Sequence, residues 1–240
     1  MPSLHLFETP PDESVDSQIL QLVVDNLSDI SAVALLPSNP LYNLYQYGVG
    51  FEAHLYLQAL AGTRDLKVEL LVAFDDDDPN RVIGFLLYLP LVDQPQACSV
   101  VYLAVAADRR RQGLARRLLE RMTTRYPQAE LACQAGRVEW FTALGFRPVG
   151  VRGPHVLMSS SGRANEGQGA MIDIEPIYRS EQVRQIHAYL LKQHGQRAMV
   201  DAEKQRDRRL DQLTRQAQAL VVERLGEAAL YSRAPAPRLV

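Results

Sequence analysis

The chain has 240 residues, with 26 Lys and Arg against 28 Asp and Glu, a formal net charge of −2 and 47% hydrophobic residues. That length suits one large domain, or one domain with an appendage, and the composition excludes a disordered tail protein. The near-neutral balance gives no global pull toward nucleic acid or an acidic membrane, so any basic function has to be local.

The N-terminus has no basic stretch followed by an apolar one, and no run nears the roughly 20 apolar residues of a membrane helix, so a cytoplasmic protein without membrane contact is expected. Ser3 to Phe7 alternates polar and apolar and reads as a short strand, ended by Pro10 and Pro11. Asp12 and Ser14 offer caps for a helix in which Val15, Ile19, Leu22, Val23 and Leu27 recur at helical spacing. After a turn from Pro37 to Pro40, a loop and a second helix are expected, ending near Gly62. The middle is β-rich: "KVELLVAF", "RVIGFLLYLPLV" and "CSVVYLAVA" predict three consecutive antiparallel strands separated by turn sequences. Asp75 to Asp78 form one of those turns and read as a solvated tip, because adjacent carboxylates diverge where a metal needs them to converge. Cys98 and Cys133 stand far apart with no CxxC or histidine spacing, which argues against zinc or a disulfide scaffold and for buried thiols in a reducing compartment. No metal is expected.

Past Ala106, Leu114, Leu118, Leu119 and Met122 repeat at helical spacing; a strand "AELACQ", a helix "RVEWFTAL" closed by Gly145, and two strands "FRPVGVR" and "HVLMSS" follow. Residues 1–161 are thus expected to form an α/β domain with a mixed sheet, 162–170 a flexible linker, and 171–240 a helical extension. In that extension Leu210, Leu213, Ala217, Leu220 and Arg224, widened by Val221 and Leu225, make a stripe too short for a coiled coil. It suits docking on the first domain or on a second copy in a homodimer. The tail "SRAPAPRLV" is expected to fray.

The most informative stretch is "ADRRRQGLARRLLERM", which packs Arg109, Arg110, Arg111, Arg116 and Arg117 around Gly113. A strand, a glycine turn and a helix leave unpaired N–H groups at the helix N-terminus, where oriented amides and the helix dipole favour an anion. Glycine lets a phosphate approach the backbone, and arginines, unfavourable to the dipole by themselves, fit a pyrophosphate. There is no GK[ST] of a P-loop and no Rossmann fingerprint.

"VVYLAVAADRRRQGLARRLL" closely resembles the acetyl-coenzyme A signature of the GNAT superfamily of N-acetyltransferases, Q/R-x-x-G-x-G/A, at Arg110, Gly113 and Ala115. "VEWFTALGFRPVG" resembles the later helix and strand of that family, and the order of elements is also the family's. The resemblance implies an acyl-CoA N-acyltransferase fold, and an acetyl-CoA-dependent N-acetyltransferase working by direct attack of a primary amine in a ternary complex. It implies that the strand before the motif splays from its neighbour and pairs with pantetheine through Leu103 and Val105. Backbone groups of Arg111, Gln112, Gly113, Leu114, Ala115 and Arg116 would then hold the pyrophosphate, with Arg109 or Arg117 near the 3′-phosphate. A backbone N–H of the Leu103 to Val105 strand would stabilise the oxyanion.

The departures from the family concern mechanism. Phe141 stands where many members carry a proton-donating tyrosine, Gln134 where an asparagine is frequent at the cofactor, and Arg137 at a small-residue position. The strand Cys98 to Ala106 has no carboxylate; Tyr102 and Cys98 are its ionisable side chains, and both suit the core as well as catalysis. Glu52 and His54, on the expected second helix, could reach an acceptor through water, with a plain surface pair as the commoner explanation. Tyr42, Tyr45 and Tyr47 are candidates to hold a cationic amine, with simple packing as the alternative. An acyl-CoA-binding sensor without turnover remains the competing reading, and nucleic-acid binding through the arginines is disfavoured by the overall charge.

Overall fold

The computed structural model describes residues 2–31, 33, 35–63, 66–165, 171–230 and 238–239. Strands β1 (Ser3–Phe7), β2 (Glu69–Phe74), β3 (Val82–Leu91), β4 (Gln94–Val105), β5 (Gln128–Cys133), β6 (Arg147–Arg152) and β7 (His155–Ser159) form a seven-stranded sheet in the order β1-β2-β3-β4-β5-β7-β6. All neighbours are antiparallel except β4 and β5. That one parallel pair needs a crossover, which α4 (Leu114–Arg125) supplies. The predicted α/β mixed sheet and its element order are those observed.

Each face of the sheet is covered, which is why β3 is buried along its whole length. On one face lie α1 (Glu13–Asp25) and α3 (Tyr42–Ala59), packed on Leu70, Val72, Phe85 and Leu87. On the other, α4 presents Leu114, Leu118, Leu119 and Met122 to Leu71, Ile83 and Leu86. Asp12 caps α1, its carboxylate accepting the Val15 N–H at 3.0 Å. The expected first helix stops sooner than its apolar periodicity suggests. Asn26 turns its side-chain amide back to the Leu22 carbonyl at 2.7 Å, and a single turn, α2 (Leu27–Ile30), follows. The helix "RVEWFTAL" is shorter too, with α5 spanning Val138–Thr142 after a 3₁₀ turn at Ala135–Arg137.

After β8 (Met171–Ile172) and α6 (Glu175–Tyr178) runs α7 (Glu181–Leu225), kinked at Gly195. It docks on its own chain: Ala217 and Val221 join the core beside α4, while Leu190, Met199 and Ala202 pack with Leu35, Leu41 and Leu44. Of the stripe, Leu213 is buried as well, Leu210 and Leu220 are half-buried, and Arg224 reaches Glu139 at 2.6 Å. Residues 166–170 of the expected linker lie outside the described residues. Asn165 is buried on β5, its N–H donated to Glu130 and its side-chain amide to the Gln128 carbonyl at 3.3 Å. Of the tail, only Arg238–Leu239 is described, paired in parallel with β8. No helix among the described residues is long and apolar enough to cross a membrane.

Candidate functional site

The pairing of β4 with β5 is short: Ala97 with Gln128, Cys98 with Ala129, Ser99 with Glu130, and then the strands part. The cause lies one strand away. The β3–β4 register shifts between Leu87, opposite Tyr102, and Tyr88, opposite Val100, leaving Val101 as an extra residue that bends β4. Beyond Ser99, the β4 backbone facing β5 is without ladder partners. The V encloses a cavity of about 290 Å³ whose wall includes Leu103, Val105, Leu131, Cys133, Gln134 and Phe141.

At one end of the cavity the chain makes a 3₁₀ turn at Ala107–Arg109 and enters α4 through two residues with left-handed backbone, Arg111 (φ 62°) and Gly113 (φ 77°). Gly113 is the N-cap and has no side chain to bond the first-turn amides, so the N–H groups at the start of α4 stay open. A Cβ built there meets nothing within 4 Å, so the turn faces free space. Arg110 and Ala115 line the cavity, Arg111, Gln112 and Arg116 are exposed, and Leu114 turns into the core, leaving its backbone for the turn. Gln112 donates to the Asp108 carbonyl at 3.2 Å. Arg111 and Arg116 have no ion-pair partner among the described residues.

The other arginines are engaged. Arg109 donates to Asp75 at 2.6 Å and Arg117 to the Pro2 carbonyl at 2.9 Å. Arg110 bridges Asn26 and Asp29, the latter at 3.3 Å, and ties the turn to α1 and α2. The solvated reading of the aspartate run fails at its first member, since Asp75 is buried where the β2–β3 hairpin folds back on the turn after β4. Burial works to raise its pKa, but the Asp77 N–H, Arg109 and Arg81 outweigh it and hold the carboxyl below its usual range. Asp76, Asp77 and Asp78 are exposed, as expected.

Both cysteines are buried, as predicted. Burial pushes the Cys133 thiol up to about 12, only partly opposed by Arg137, and raises Cys98 further beside Glu69 and Glu130, so neither supplies a thiolate at neutral pH. His155 also borders the cavity; burial and then Arg152 lower it to about 4, which leaves a neutral imidazole. Its single position on a strand carries no pattern that sequence reading could use. Asn26, Asp29 and Trp140, which sequence reading did not single out, and Arg137 also border the cavity. Arg137 donates to Asp29 at 2.8 Å.

Tyr102 points away from this cavity, toward α3. Its ring meets Tyr56 edge-on at 6.3 Å, and its hydroxyl is hydrogen-bonded to Glu52. Burial, then the Glu52 charge, raise its pKa well above the usual tyrosine value, so it stays a phenol. The expected surface pair of Glu52 and His54 is overturned. Residues two apart on a helix do not face each other, and here Glu52 turns inward to Tyr102 while His54 faces Asp16. Burial raises Glu52 to about 7 despite the hydrogen bond from Tyr102. Tyr42, Tyr45 and Tyr47 do not border the β4–β5 cavity. They lie where α3 meets the C-terminal helices: Tyr45 is 5.6 Å from the Tyr178 ring and accepts from Arg206 at 3.3 Å, Tyr47 stacks on Phe51 at 5.8 Å, and Tyr42 packs near Leu35 and Leu44.

Residues 67–148 match the sequence model of the acetyltransferase (GNAT) domain. No curated protein matches the chain. Among solved structures, it is similar to an acyl-CoA N-acyltransferase from Pseudomonas aeruginosa, at 17% identity and a TM-score of 0.45, over 68% of this chain and 100% of that one. It is likewise similar to the PaiA N-acetyltransferase from Thermoplasma acidophilum in complex with coenzyme A, at 12% identity and 0.48, over 65% and 98%. Escherichia coli ElaA gives 16% and 0.42, over 66% and 99%.

Proposed function

We propose that this chain, whose residues 67–148 match the acetyltransferase (GNAT) domain, moves an acetyl group from acetyl-CoA to a primary amine of a small molecule, peptide or protein. The observation that carries the reading is the juxtaposition of two features: a strand edge opened by the parting of β4 from β5, and a side-chain-free helix entrance at Gly113 beside it.

The donor set suits coenzyme A on both counts. The open amides of α4, with Arg111 and Arg116 exposed next to them, suit a pyrophosphate. The edge of β4 at Leu103 and Val105, which has no β5 ladder partner and where the Val105 carbonyl accepts from Arg110 Nε at 3.4 Å, suits the amides of an extended pantetheine arm, which would join β4 as an added strand. When bound, acetyl-CoA supplies a thioester whose carbonyl carbon an amine can attack. Leu103 to Val105 would place a backbone N–H for the developing oxyanion, and the apolar wall of Leu131, Cys133 and Phe141 would exclude water.

Phe141 on that wall has no proton to give a leaving thiolate, and it favours one second reading, a module that binds acyl-CoA without transfer. Coenzyme A thiol release, with mass spectrometry of the amine, separates the two across a panel of alkylamines, polyamines and peptide N-termini. Amine-dependent release with one acetyl group added per thiol is expected. Tight acetyl-CoA binding with no transfer to any amine supports the sensor instead.

A further inference from the structure

We propose that Asp29 latches the donor site: its carboxylate closes the open end of the β4–β5 cavity by bridging Arg110 and Arg137, and a phosphate group of the entering coenzyme A displaces it and takes over both guanidiniums. The proposal rests on the coenzyme A reading above, and goes beyond it in making one of the chain's own carboxylates the competitor of the cofactor.

The placement follows from strand direction. β4 and β5 are parallel, so their C-terminal ends lie at the same end of the sheet, and because they pair no further than Ser99 and Glu130, that is the end at which they part. Arg110 lies in the turn that follows β4, and Arg137 ends the 3₁₀ turn that follows β5. Asp29, on the single turn α2, meets both. Its Oδ1 accepts from Arg137 Nη2 at 2.8 Å, and its Oδ2 lies 3.3 Å from Arg110 Nη2. All three residues border the same cavity, so one carboxylate joins the two sides of the V where they stand apart. Arg137 occupies the position at which the family resemblance implies a small residue, and the second cation of the latch is therefore a feature of this chain.

The same contact covers the strand edge. With its Nη2 shared between Asp29 and the Asn26 side-chain oxygen, Arg110 lays its Nε against the Val105 carbonyl at 3.4 Å. Drawing Arg110 away uncovers that carbonyl for the pantetheine arm as well as freeing the guanidinium.

Exposure makes this contact exchangeable. The side chains of Asp29, Arg110 and Arg137 keep 41, 45 and 61% of their surface in water. Ion pairs so wet contribute little, whereas a phosphate brings more charge and more acceptor oxygens to a guanidinium than a carboxylate does. No other carboxylate holds these two arginines among the described residues, and the neighbouring Glu139 is engaged by Arg224 at 2.6 Å. Removing one charge at Asp29 therefore releases both cations together.

The test is calorimetric titration of coenzyme A into the full chain, comparing wild type with Asp29→Asn, which is nearly isosteric and uncharged. The variant is expected to bind about threefold to thirtyfold tighter, since two wet ion pairs no longer compete. Asp29→Ala, which also removes the hydrogen-bond acceptor, should show the same gain. Arg137→Gln alone should weaken binding, and in that background the gain from Asp29→Asn should shrink by at least about half, because one of the two contested cations is gone. A purely structural tie predicts the opposite sign: Asp29 variants that bind within about twofold of wild type, or more weakly, overturn the proposal. So does a gain undiminished by Arg137→Gln, which would make Asp29 a mere obstruction. No coenzyme A binding to wild type or variant brings down the coenzyme A reading and this proposal with it, whereas wild-type binding that Asp29→Asn leaves unmoved brings down only this one.

Discussion

Glu69 provides the sharpest stability prediction, because its carboxylate is entirely enclosed among hydrogen-bond donors. It stands opposite Tyr88 in the β2–β3 register. Tyr88 donates to it at 2.9 Å, Tyr126 at 2.6 Å and Arg125 at 3.1 Å, with the Lys67 ammonium 3.8 Å away. Arg125 alone of the donors has a second carboxylate, Glu8. Glu69→Leu keeps the volume roughly constant and leaves two buried phenols and part of a guanidinium unsatisfied. Breaking a buried, hydrogen-bonded charge pair costs about 3–5 kcal/mol, which for a chain of this size lowers the melting temperature by roughly 6–20 °C. Urea unfolding at pH 7 with an unchanged m-value measures it. Tyr88→Phe alone should cost about 1 kcal/mol. Glu69→Leu combined with Tyr88→Phe and Tyr126→Phe should recover most of the loss, since the orphaned hydroxyls are gone. A single Glu69→Leu variant within about 1 kcal/mol of the wild type, or a triple variant no better than the single, would refute the reasoning.

Two further predictions follow from the candidate site. Glu52 is raised from its ordinary 4.5 to about 7, so the native state binds the extra proton between those values and stability from this group is lost as pH rises through them. At ~1.4 kcal/mol per tenfold, the stability of wild type relative to Glu52→Gln should fall by about 2.5 kcal/mol between pH 5 and pH 8.5. A constant difference in unfolding midpoints across that range would contradict it. Phe141→Tyr puts a hydroxyl on the cavity wall where Phe141 now packs edge-on against Trp140 at 4.6 Å. It should leave acetyl-CoA affinity within about threefold and raise turnover up to about tenfold, and a slower enzyme would mean that the leaving thiolate takes its proton elsewhere.

The parts of this protein that were legible in the sequence are those in which chemistry is local. Apolar spacing located α1 and α4, a proline turn and Gly62 bracketed α3, β-branched runs located β2 to β4, and Gly113 between arginines marked a helix entrance. The first helix overran because Leu27 keeps the apolar period, whereas Asn26 breaks it by bonding to the Leu22 carbonyl. The arginines could be counted but not assigned. Whether Arg109 meets a phosphate or Asp75 depends on a hairpin contact 34 residues away in sequence. The same limit hid His155, brought to the cavity by sheet order, and the inward turn of Glu52 toward Tyr102 on a different element. Nor does anything local to α3 reveal that the C-terminal helices pack against Tyr42, Tyr45 and Tyr47.

The central claim is that the turn at Gly113 and the open edge of β4 form a coenzyme A site. Calorimetric titration of acetyl-CoA into wild type, Gly113→Asn and Gly113→Asp tests it most directly. Asparagine and aspartate tolerate the left-handed backbone about equally, are nearly isosteric, and share a Cβ that meets no neighbour within 4 Å, so the pair differs in charge rather than in strain. Micromolar binding to wild type is expected, moderately weakened by asparagine and at least about tenfold weaker again with aspartate, ~1.4 kcal/mol or more, because the carboxylate sits where the pyrophosphate would lie. No binding to wild type at low salt, or equal binding to the asparagine and aspartate variants, would contradict the account.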